Sequence, residues 1–159
     1  MKSNYNKIDW ERGKRAEQIV LDLLSTKTDK YNFYDVSNNA AHYTQGDIFA
    51  LGENEAYYIE VKNDSCIGKS ENVLCEEEVY IKDLDHYEPG NMSCSCDIYC
   101  VVAEDTREIY FFDFKVMKEI YKRYGQQYIK DHYNQTTFGY LLPVARIKQF
   151  GGLIAKINF

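Results

Sequence analysis

Gly46-Asp47-Ile48-Phe49-Ala50-Leu51 leads through Gly52-Glu53-Asn54-Glu55 into Ala56-Tyr57-Tyr58-Ile59-Glu60-Val61-Lys62. The second run alternates cleanly. Tyr57, Ile59 and Val61 fall on one face of an extended strand, and Tyr58, Glu60 and Lys62 on the other. The glycine-, asparagine- and glutamate-rich segment between the runs has turn chemistry, so the two strands fold back as a hairpin. On the polar face, Glu60 and Lys62 project roughly 7 Å apart, and the hairpin returns Asp47 beside them. Two converging carboxylates repel each other and suit a hard cation such as Mg²⁺. A lysine next to them can orient water or neutralise phosphate charge. These are the groups that metal-assisted phosphodiester hydrolysis requires.

Upstream, a helix is expected from Asp9 to Ser25. Ala16, Ile19, Val20, Leu23 and Leu24 form its apolar stripe, and Asp9 is placed to cap its start. Glu17 lands near Leu21 and Leu24 on the edge of that stripe, where a carboxylate must be paired, hydrogen-bonded or on a metal. Tyr31–Val36 reads as a strand before the turn at Ser37-Asn38-Asn39. Downstream, 63–70 and 85–95 read as loops and Glu71–Ile81 as an extended segment. Asp97–Ala103 and Glu108–Phe114 read as two further strands, and Lys115–Ile129 as a second amphipathic helix. Tyr140–Ile147 and Gly152–Ile157 are strand or packing segments.

The chain has 159 residues, enough for one hydrophobic core, so a single domain over 1–159 is expected. Hydrophobic residues at 45% and charged residues at 28% place it among globular proteins rather than disordered ones. No apolar run reaches the roughly 18 residues of a membrane span, and the first fifteen residues lack an apolar signal core. A cytoplasmic protein that does not enter the membrane is the resulting expectation. The formal net charge of −6 argues against coating nucleic acid by counterion release, though a local basic patch remains compatible with brief visits. Five cysteines fit free thiols, and Cys94, Cys96 and Cys100 lack the pair spacing of a structural zinc site. Fifteen tyrosines suit strands as well as base stacking.

Gly46-Asp47, the hairpin, and Ile59-Glu60-Val61-Lys62 resemble the PD-(D/E)xK nuclease superfamily, which includes restriction endonucleases and Holliday-junction resolvases. Gly46 stands where the motif's name has proline. The resemblance covers about Asp9 to Asn63 and, more loosely, the strands at 97–114. It implies an α/β fold with a restriction-endonuclease-like core, a central mixed β-sheet flanked by helices. It also implies a Mg²⁺-dependent nuclease, with Mn²⁺ as a substitute, that hydrolyses DNA and leaves a 5′-phosphate. By that resemblance Asp47 and Glu60 bind the metal with the Val61 carbonyl, Lys62 positions the attacking water, and Glu17 holds a second metal or an ordered water. Ser70 and Asn72, on the segment after the lysine, are candidate contacts to phosphate or a base edge. A homodimer, or a partner protein that confers specificity, is a further implication.

Each feature also has a plainer reading. Glu60 and Lys62 can be a solvated ion pair, Asp47 can end a turn, and Glu17 can pair with Arg12 or Lys14. Glu76-Glu77-Glu78 reads as a solvated acidic face. Lys115, Lys118, Lys122 and Arg123 give the second helix a basic side that suits either solvent or phosphate. His42, His86 and His132 have no Ser or Cys partner motif, so nucleophilic-triad chemistry has no support. The competing class is a non-catalytic binding or assembly module that keeps the nuclease-like fold.

Overall fold

The hairpin expected between Gly46 and Lys62 is present, and it lies inside a larger sheet. The computed structural model describes residues 4–159. In it, β1 (Asn32–Asp35), β2 (Ile48–Leu51) and β3 (Ala56–Asn63) pair antiparallel, with Tyr34 opposite Phe49 and Phe49 opposite Tyr58. β3 then runs parallel to β6 (Ile98–Ala103), which pairs antiparallel with β7 (Glu108–Asp113). β10 (Leu153–Asn158) closes the far edge, and the order of this six-stranded mixed sheet is β1-β2-β3-β6-β7-β10.

A parallel step needs a long crossover. Here the chain between β3 and β6 forms α2 (Ile67–Ser70), β4 (Asn72–Ile81), β5 (His86–Pro89) and a 3₁₀ turn at Asn91–Ser93. β4 and β5 join β8 (Gln126–Asp131) and β9 (Gln135–Pro143) in a second, four-stranded antiparallel sheet, ordered β5-β4-β9-β8.

Both faces of the six-stranded sheet carry a core, but the face of its first three strands that bears Tyr34, Phe49, Tyr58, Glu60 and Lys62 stays half-buried or exposed. On one face of the sheet, α1 (Asn4–Lys27) buries Ala16 and Val20 against Ile48, Ile59, Val61, Cys100, Val102 and Ile109. On the other, Tyr99, Val101 and Phe112 share a core with Val73, Cys75 and Leu142 of the second sheet. That core also takes in Met117 of α3 (Phe114–Tyr124) and Ile147 of α4 (Val144–Gln149). β6 accordingly reads as an apolar run, buried on both faces, as expected of a strand beside a parallel neighbour. The α/β expectation, a mixed central sheet flanked by helices, therefore holds. Among the described residues no helix is long and apolar enough to cross a membrane.

Several boundaries differ from expectation. α1 begins at Asn4, so Asp9 sits within the helix and does not cap it. The second long helix is shorter than Lys115–Ile129. Asp113 caps it by accepting from the Val116 N–H, and it stops where the Gly125 N–H closes on the Tyr121 carbonyl, after which Gln126–Asp131 is extended. The stretch 85–95, expected as loop, contains β5 and the 3₁₀ turn.

Candidate functional site

Gly46 explains how Asp47 reaches its place. Its φ is +150°, and a Cβ there would lie 2.9 Å from the Ile59 carbonyl oxygen, so glycine alone lets the entry to β2 lie against β3. The Asp47 N–H donates to that carbonyl at 2.9 Å, and the Val61 N–H donates back to Asp47 Oδ2 at 2.9 Å. The carboxylate is thereby fixed on the side of the sheet that carries Glu60 and Lys62. Lys62 Nζ lies 2.6 Å from Glu60 Oε1, and the Cys94 thiol approaches Glu60 Oε2 at 3.7 Å.

Asp47 and Lys62 form the ridge between two open clefts. One, of about 390 Å³, also takes in Glu60, Glu76, Tyr43, Asn91 and Cys94. The other, of about 560 Å³, takes in Glu17, Val61, Arg12, Asp64 and Lys130. Glu17 is 8% exposed on α1 and accepts from Lys14 Nζ at 2.7 Å. Lys14 also bonds Ser37, which bonds Asp35, so Glu17 is tied through its lysine to the end of β1.

The electrostatics record this crowding. Burial, then the charges of Glu60 and Glu17, push Asp47 up to about 6, against the opposing pull of the Val61 N–H and Lys62. Burial works against the Lys62 charge, but Glu60, Asp47 and Glu76 together hold the ammonium above its ordinary value. Burial raises Glu76, and Lys62 opposes that rise.

The structure thus brings Asp47, Glu60 and Lys62 to one ridge and sets Glu17 across the second cleft. It does not bring Ser70 and Asn72 there. Ser70 Oγ accepts the Asn72 N–H at 3.2 Å, the Asn72 side chain returns to the Ser70 carbonyl at 2.9 Å, and neither residue lines either cleft. Val61 contributes a backbone N–H to Asp47 and a position on the cleft wall.

Among the described residues no three His, Cys, Asp or Glu side chains are gathered as a ready-made metal cage. Glu60 and Glu17 instead turn toward lysines. The donor set still suits a hard divalent ion, because a cation would offset both the burial and the Glu60 charge that raise Asp47. Glu60 and Glu17 would be its other carboxylate ligands once turned from their lysines.

Glu76 is a site residue that sequence reasoning missed. The acidic trio was expected as a solvated face, yet only Glu78 is exposed. Glu77 pairs with Lys122 at 2.5 Å, while Glu76 is half-buried and lines the smaller cleft. A register shift between Glu76 and Glu78 interrupts the alternation of β4, and no local pattern announces it. The basic side of α3 is partly committed elsewhere, since Lys122 is held by Glu77 and Lys118 lies 4.7 Å over the Phe114 ring.

No protein-family model matches the chain, and neither the curated proteins nor the solved structures give a significant match.

Proposed function

We propose that this chain is a Mg²⁺-dependent nuclease with a restriction-endonuclease-like core of the PD-(D/E)xK kind, hydrolysing phosphodiester bonds of DNA. The observation that carries the reading is the placement of Asp47 and Lys62 on a ridge between two open clefts, with Glu60 beside them in the first and buried Glu17 facing the second. Asp47 Oδ2 accepts the Val61 N–H, which seats the carboxylate that would be the first ligand of a cation. Glu60 would be its second carboxylate ligand on releasing Lys62, and the freed ammonium would place positive charge beside the phosphate. The ion's own contribution is to polarise the phosphate and acidify an attacking water. Clefts open on both sides leave room for a strand to pass over the ridge.

The test is cleavage of plasmid, linear and branched DNA with Mg²⁺ or Mn²⁺, beside EDTA, Glu60→Ala and Lys62→Ala controls. Metal-dependent cutting that both substitutions abolish is the expected result. Absence of cutting on every substrate, with the fold intact, rejects it.

One observation favours a second reading, a non-catalytic module. Glu60 and Glu17 are each neutralised by an internal lysine, which is a complete arrangement without any metal. That reading expects the melting temperature to be indifferent to divalent ions.

A further inference from the structure

The face that carries Glu60 and Lys62 continues along the hairpin as an aromatic strip. Tyr34, Phe49 and Tyr58 lie side by side across β1, β2 and β3, with ring centroids 6.5 Å and 4.9 Å apart. His42, from the 3₁₀ turn at Ala40–His42, stacks on Phe49 at 6.3 Å and bonds the Tyr58 hydroxyl through Nδ1 at 2.8 Å. The next residue, Tyr43, is 85% exposed and stands on the wall of the smaller cleft beside Asp47 and Glu60. Tyr34, at the outer end of the strip, is 48% exposed. The loop bearing Tyr43 is anchored, because the Ser95 N–H donates to the Thr44 carbonyl at 2.8 Å and Asn39 caps the turn before it. The rings are therefore presented on a fixed surface.

We infer that this strip is a stacking platform for unpaired bases that delivers single-stranded DNA to the Asp47–Glu60 ridge. Aromatic faces bind any unpaired base, whereas a continuous duplex hides its base faces from them. The charge balance points the same way. Among the described residues Lys62 is the single cation lining the smaller cleft, whereas Arg12 and Lys130 lie in the other, so on the side of the strip ring stacking rather than phosphate contact holds the strand. The abundance of tyrosine alone did not distinguish stacking from strand packing. What distinguishes it is position, because Phe49 and Tyr58 share the strands of the carboxylate ridge, with Tyr34 beside them on β1 and Tyr43 on the cleft wall.

This inference rests on the nuclease reading for the strand's destination but is tested by binding alone. The probe is fluorescein-labelled oligo-dT, compared with a duplex of equal length by fluorescence anisotropy in Ca²⁺, a cation for the same hard oxygens. Wild-type protein binds oligo-dT more tightly than the duplex, with a shallow salt dependence. The Tyr34→Ala, Tyr43→Ala double variant loses about 10- to 100-fold in oligo-dT affinity, while the Tyr34→Phe, Tyr43→Phe variant, which keeps the rings, retains it. Equal or tighter duplex binding overturns the inference, as does unchanged oligo-dT affinity in the alanine variant. Cutting of duplex that is indifferent to both tyrosines removes the platform and leaves the nuclease. Tyrosine-dependent oligo-dT binding without cutting on any substrate leaves the platform and removes the nuclease.

Discussion

The six-stranded sheet is sandwiched between α1 and a second layer at β6 and β7, whereas the four-stranded sheet has one covered face and one open to solvent. In the first, β6 and β7 are buried along nearly their whole length. In the second, β8 and β5 are exposed almost throughout, and β4 and β9 carry the contact with the shared core. The ridge of Asp47, Glu60 and Lys62 stands at the β2–β3 end of the first sheet, where one face packs on α1 and the other opens to the clefts. The singly covered sheet supplies one wall of the smaller cleft through Glu76, Val79 and Pro89.

The strongest challenge to this division is Phe112→Ala. Phe112 is fully buried in the core common to both sheets. Its loss should cost about 3–5 kcal/mol and lower one cooperative transition, measured by denaturant unfolding followed by fluorescence and by circular dichroism. Two separated transitions would mean that the sheets are energetically independent.

A matched pair of glycines sharpens the comparison. Gly46→Ala forces a side chain against the Ile59 carbonyl at positive φ, and Gly139→Ala forces one to 2.2 Å from the Cys75 carbonyl. Each should cost about 2–3 kcal/mol. Only Gly46→Ala should also abolish divalent-ion stabilisation, because it alone seats Asp47. Thermal melts with and without Mg²⁺ separate the two effects.

A smaller effect, of opposite sign, is expected from Asp47→Asn. The ordinary carboxyl value is 3.8, and the folded protein raises it to about 6. Between about pH 4 and 6 the unfolded chain has released this proton and the folded chain still holds it, so stability falls as pH rises through that window. Asparagine keeps the acceptor for the Val61 N–H and removes the penalty. In EDTA the variant should match wild type below pH 4 and exceed it by on the order of 1–2 kcal/mol above pH 6. A variant less stable than wild type at pH 7 would contradict the crowding described for the ridge.

The least effect belongs to a surface ion pair between α3 and the second sheet. Lys122→Ala breaks the pair with Glu77 and should change the melting temperature barely, with the difference vanishing in high salt.

The same contrast decides what could be read from the chain. The β2–β3 hairpin is legible because Ile48, Ile59 and Val61 pack with α1 and Ala50 is buried too, which imposes a period of two. The inward placement of Glu17 followed likewise from its position beside the apolar stripe of α1. The second sheet gives no such signal. β8 has one half-buried residue among exposed ones, and β5 is exposed and ends on Pro89. Tyr128 and Ile129 continue the apolar spacing of α3, so the helix was expected to run past Gly125, where it stops. Glu76 was hidden because the shift in β4 register depends on pairing with Gly139, far along the chain. The lysine partners of Glu60 and Glu17 were legible only as alternatives, since spacing does not say whether a lysine or a cation takes the carboxylate.

The central claim is that the ridge at Asp47 and Glu60 holds a divalent cation. Its most direct test is a Mg²⁺ and Mn²⁺ titration of thermal stability in wild type, Asp47→Asn and Glu60→Gln. A melting temperature that climbs with ion concentration in wild type and stays flat in both variants is the expected result. A flat wild-type response, or a rise that survives both substitutions, would contradict it.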